Sequence, residues 1–140
     1  MGTHQLMLMI LSVVLVGIAV TLGVFLFQVY SENANRQMMI DDMNFLGTEA
    51  IRFWRTPVSL GGGAPEITEE DQEQLEFFLH WSGNTNSTAS GTYTIQANND
   101  GTIDITGVGT EVGRDNVNFV RATLNVNPVL KHPLNITIEN

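Results

Sequence analysis

Three histidines, His4, His80 and His132, are the only imidazoles in the chain, one in each region of it. A zinc site needs such residues at ligand spacing, as in His-x-x-x-His, and no pair here has it. Cysteine is absent, which removes thiolate ligands, a cysteine nucleophile and disulfides. The stretch Asn98–Asp104 has the flavour of a calcium loop. Setting Asp100-Gly101 at that motif's fifth and sixth positions, however, puts Gln96 at the first and Gly107 at the twelfth, where carboxylates are needed. A hairpin turn is the better account. Gly61-Gly62-Gly63 lacks the Gly-Lys-Ser/Thr that would make a phosphate loop. Glu69, Glu70 and Asp71 match the positive end of a helix rather than a metal. Without Gly-x-Ser-x-Gly or a spaced carboxylate pair, neither catalysis nor a cofactor is expected. Tyr30, Phe45, Phe53 and Trp54 read as core packing rather than as an electron path. The remaining chemistry is covalent modification: Asn86-Ser87-Thr88 and Asn135-Ile136-Thr137 are acceptor tripeptides, making Asn86 and Asn135 glycosylation candidates in a cell that modifies asparagine this way.

The elements carrying these residues divide the chain. From Met1 to Ser31 there is no Asp, Glu, Lys or Arg, and no proline precedes Pro57, so the sequence predicts a helix from about Thr3 to Thr56. Such a rod is roughly 80 Å long, whereas a bilayer's hydrocarbon core needs only about 20 apolar residues. No Lys or Arg precedes the apolar run and no A-x-A follows it, so a retained membrane span is expected rather than a cleaved secretory signal. Small residues such as Gly17 and Gly23 let another helix approach closely. After Ser31 the rod turns amphipathic. Met39, Met43, Leu46, Ala50 and Phe53 form a heptad-like stripe, with Asp41, Thr48, Arg52 and Arg55 on another face.

Residues 57–67 read as a Gly-rich linker after Thr56-Pro57, and residues 68–140 as a small head. Within it a second helix is expected from Thr68, its cap, to Trp81, with Leu75, Phe78 and also Phe77, Leu79 and Trp81 toward the core. Gly83–Gly91 reads as a polar loop. Four strands of period two then follow: Thr92–Ala97, Thr102–Thr106, Asn116–Val126 with a bulge near Phe119, and Leu134–Glu139. Asn98 to Gly101 has hairpin-turn chemistry. The expected fold class is α+β: a long N-terminal helix, greasy over 1–31 and amphipathic over 32–56, packed on a four-stranded antiparallel sheet, with a short second helix. The formal charge of −9 falls almost wholly on the head, which makes nucleic acid or anionic lipid a poor partner and a soluble, repelling coat a good use.

An uncharged apolar half-helix, its unbroken amphipathic continuation, a Gly-rich linker and a C-terminal antiparallel sheet together resemble a type IV pilin or pilin-like filament subunit. The resemblance covers the whole architecture. Position five is Gln5, where members of that family typically carry glutamate, and no basic leader precedes the apolar run. It implies a structural subunit of a cell-surface filament, lodged in the inner membrane before assembly, with identical subunits and assembly machinery as partners. It implies, too, an assembly helix carrying Gln5, Leu6, Leu8, Leu11, Val14, Gly17, Val20, Gly23 and Phe27. A single-span anchored binding module, or a minor pseudopilin of a secretion system, has the same hydropathy.

Overall fold

With no proline to interrupt it, the chain from Gly2 to Arg55 forms one α-helix of 54 residues, α1 (Gly2–Arg55), in a computed structural model describing residues 2–63, 67–115 and 117–139. The Thr56 N–H still bonds back to Arg52 and Phe53, and Pro57 then ends the helix. Where the composition suggests a linker, the chain makes a 3-10 turn at Val58–Leu60 and folds back on the end of α1. Gly61 takes φ 82°, a left-handed conformation glycine adopts without strain. Gly62 and Gly63 are buried, and a Cβ at Gly62 would run into the Thr56 carbonyl. Within the linker, residues 64–66 lie outside the described residues, and Ile67 at its end is buried.

The second helical segment is shorter than its sequence predicts. Asp71 closes a 3-10 turn, Glu69–Asp71, by accepting the Thr68 N–H at 2.9 Å and the Thr68 hydroxyl at 3.1 Å. Helix α2 (Gln72–Phe78) follows and stops before Trp81, because His80 turns left-handed at φ 60°. Leu75 is fully buried. Phe78 meets Phe53 edge-on, with ring centroids 5.5 Å apart. Phe77 points to solvent instead of the core. Gln72 accepts the Ala97 N–H at 2.8 Å and donates to the Ile95 carbonyl at 3.1 Å, so its amide serves an open sheet edge as a strand would.

The sheet is an antiparallel meander of five strands in sequence order: β1 (Thr85–Ser87), β2 (Gly91–Ala97), β3 (Ile103–Val112), β4 (Phe119–Val126) and β5 (Leu134–Glu139). The unexpected strand, β1, is three exposed residues paired to the edge of β2, too short to alternate visibly in sequence. Asn98–Gly101 makes the β2–β3 turn as expected, with the Gly101 N–H bonded to Asn98 and Gly101 at φ 80°. The irregularity anticipated near Phe119 sits on the facing strand instead. Val108 pairs with Arg121 and Val112 with Phe119, so the extra residues belong to β3. Val117 and Phe119 are exposed, and the core face of β4 is Val120, Ala122, Leu124 and Val126.

All five stripe residues of α1, Met39, Met43, Leu46, Ala50 and Phe53, are buried against that face. Burying a large apolar side chain stabilises by about 1.5–3 kcal/mol. The chain is thus α+β, with one core between α1 and the sheet. Two glycines permit the close approach. A Cβ at Gly107 would lie 2.7 Å from Met43 Cε and 2.8 Å from the Tyr93 ring, and one at Gly47 would lie 2.7 Å from Leu134. Trp54 lies half-buried against this core, whereas Tyr30 and Phe45, read as core in the sequence, are exposed because they fall off the stripe.

Candidate functional site

The long helix divides sharply into a free half and a clasped half. Residues 2–30 are exposed throughout, and the most apolar window, of mean hydropathy 2.8, is 0% buried. This is a helix long and apolar enough to cross a membrane. Its internal hydroxyls are satisfied within the helix, Ser12 donating to the Met9 carbonyl at 2.8 Å and Thr21 to the Gly17 carbonyl at 2.9 Å, as an apolar surrounding requires. Gln5, Leu6, Leu8, Leu11, Val14, Gly17, Val20, Gly23 and Phe27 all stand on this free half. Their repeated spacing of three drifts by about 60° per step, so they wind around the helix rather than share one face. Nothing lies within 4 Å of a Cβ built at Gly17 or Gly23.

Polar contacts fasten the clasped half. Asn35 Nδ2 donates to the Ser90 carbonyl at 2.7 Å and to Thr110 Oγ1 at 3.1 Å. Asp42 Oδ2 accepts from the hydroxyls of Thr88 at 3.0 Å, Tyr93 at 3.0 Å and Ser90. At the junction with the free half, Glu32 binds Arg36 Nε at 2.9 Å and Arg114 Nε at 3.6 Å. Among the described residues, Asn35 Oδ1 and Arg36 Nη2 are buried side-chain atoms without a hydrogen-bond partner. Sequence reasoning missed this fastening. A signal was available at Asn35, which stands four residues before Met39 and so continues the apolar stripe with a polar side chain.

Burial pushes the Tyr93 phenol from 10.0 up to about 12, and the adjoining Asp42 carboxylate adds to the rise against an opposing hydrogen bond from Ser90. The folded state therefore prefers the neutral phenol. Its contribution is complete below the unfolded value of 10.0 and is lost as pH rises toward about 12. Denaturant titrations across that window should show the wild type losing stability more steeply than Tyr93→Phe, which has no phenol to ionise. Parallel curves would contradict the assignment.

The sequence candidates do not converge on a reactive centre. His4 lies on the free helix, His80 beyond α2 and His132 in the β4–β5 turn. Among the described residues no three His, Asp or Glu side chains form a group that could hold a metal. An open cleft of about 510 Å3 between α1 and α2 is lined by Phe45, Leu60, Phe77, Phe78 and Trp81, with the paired Glu49 and Arg52 and with His80, whose Nδ1 lies 3.1 Å from the Phe78 carbonyl oxygen. Asn86 and Asn135 are both exposed, on β1 and β5, rather than Asn86 in a loop. No family model, curated protein or solved structure matches this chain.

Proposed function

We propose that the protein is a structural subunit of an extracellular, pilus-like helical filament, held in the inner membrane by α1 before assembly and polymerised through the same helix. One observation carries the reading: α1 runs unbroken from an exposed, uncharged half into a half locked in the core of the head. A simple anchor needs only to keep its domain at the membrane. Here span and head share one continuous helix, so packing between neighbouring spans also sets how their heads are placed. A helix leaving lipid for a bundle of identical helices keeps its apolar surface out of water, so the exchange is nearly neutral in hydrophobic energy. Close packing at Gly17 and Gly23 and contacts between heads then decide the outcome. Repeated head-to-tail contacts that do not close into a ring give a helical filament. The partners are identical subunits and the machinery that extracts them, the acidic heads form the coat, and neither nucleic acid nor catalysis enters the role.

The open cleft between α1 and α2 favours a second reading, a single-span anchored binding module that takes an apolar ligand beside Phe45, Phe77 and Trp81. Extraction in mild detergent separates the two. A filament subunit should run as large assemblies that break down only under harsher conditions, whereas an anchored module should run as a monomer with lipid around Leu6 to Tyr30.

A further inference from the structure

The head reaches back along α1 at the end of β3. Val112, Gly113 and Arg114, at the end of β3, share a cleft of about 300 Å3 with Phe25, Gln28, Val29, Glu32 and Asn33 of α1. Phe25 and Val29 belong to the uncharged run that ends at Ser31. A span of about 20 residues centred in that run leaves the membrane near this level. The end of β3 and the start of β4 are therefore the part of the head nearest the bilayer. Three apolar side chains are exposed there, Val112 at 42%, Val117 at 78% and Phe119 at 50%. Arg114 stands among them, 72% exposed and touching Glu32 through Nε at 3.6 Å. The nearby Asp115 carboxylate is turned onto its own loop, accepting the Val117 N–H at 3.0 Å, the Asn118 N–H at 2.9 Å and the Asn118 amide at 2.6 Å.

We propose that this end of the head is a bilayer-docking surface, with Val117 and Phe119 seated among the headgroups and Arg114 bound to a lipid phosphate. Apolar side chains next to a cation with a long stem suit the interface, where the stem lies against the acyl boundary and the guanidinium binds phosphate. The occupant is the lipid already surrounding the adjacent span. The acidic head disfavours anionic lipid, which makes a zwitterionic phospholipid the fitting class. Docking would hold the head upright and in one rotational setting before assembly. The inference rests on insertion of α1 in a membrane and is independent of polymerisation.

The chain has no cysteine, so one introduced thiol can be labelled cleanly. The full chain, carrying a fluorophore at Val117→Cys, is placed at one copy per phosphatidylcholine nanodisc and quenched by lipids bearing a nitroxide at the headgroup. Tyr30→Cys marks the span boundary, and Val129→Cys, exposed beside Asn99–Gly101 and Trp54, marks the far end of the head. The expected result is that Val117→Cys loses fluorescence as strongly as Tyr30→Cys while Val129→Cys keeps it. Adding Arg114→Gln should restore part of the lost signal. Quenching at Tyr30→Cys without quenching at Val117→Cys would overturn the proposal, as would quenching at Val117→Cys that needs several copies per disc, since the lipid contact would then depend on assembly rather than on the single head. No quenching at Tyr30→Cys would overturn insertion itself. Unchanged quenching with Arg114→Gln would overturn the role given to Arg114.

Discussion

Deleting Met1–Tyr30 should leave a soluble, monomeric head, without the helix proposed to insert in a membrane and to drive polymerisation. The deleted segment holds the long, uncharged and mostly apolar exposed run from Leu6 to Tyr30. Every residue that α1 buries, from Asn35 to Phe53, lies beyond it. The contacts of Glu32, Asn35 and Asp42 also remain, so the sheet keeps its cover. Removing some thirty residues from a helix would ordinarily cost it cooperativity, but helices in proteins are held mainly by their packed face. Size-exclusion chromatography should give a single peak at the monomer position. Long polymers from the truncated chain would place the assembly surface on the head.

The second large effect is in the core of that head. Phe53 is fully buried, with Phe78 edge-on to its ring and Gly63 packed on it, and Leu46 is buried 93%, being 7% exposed. Truncating a buried phenylalanine alone costs about 3–5 kcal/mol. A carboxylate at the same place adds the cost of an unpaired buried charge. Against a total stability of about 5–15 kcal/mol, and toward the low end for so small a head, Phe53→Asp should leave little cooperative unfolding. Leu46→Asp should be nearly as severe. Asp41→Ala, at an exposed position, should change stability by no more than about 0.5 kcal/mol. Thermal melts of the head comprising residues 31–140 provide the comparison. A melt for Leu46→Asp no worse than that for Asp41→Ala would mean that the stripe does not cover the sheet.

What was legible in the sequence follows from how far each signal reaches. The rod announces itself over more than fifty residues because no proline interrupts it, its first half stands out because residues 1–31 carry no charge, and the stripe from Met39 to Phe53 repeats often enough to fix a face. β2, β4 and β5 carry alternation over six residues or more and are legible, although the apolar Val117 and Phe119 belong to the surface. β1 has three exposed residues and leaves no alternation to read. The end of α2 depends on one residue, His80, in a left-handed conformation that no neighbouring glycine or proline signals. Gly61–Gly63 hides its role for a related reason. Three glycines look like a loose joint in sequence, but Gly62 and Gly63 are needed where the chain passes too close to Thr56 and Phe53 for any Cβ. The hub at Asp42 gathers Thr88, Ser90 and Tyr93 from some fifty positions away, a convergence that only the register of α1 on the sheet creates.

Polymerisation through α1 would be visible in surface material sheared from cells that make the protein, imaged by electron microscopy with the filament subunit identified by mass. The expected result is thin helical filaments whose subunit is this chain, with the helices packed along the axis and the acidic heads outside. Filaments built of another protein, or surface material without filaments while the chain remains monomeric in the membrane, would contradict it.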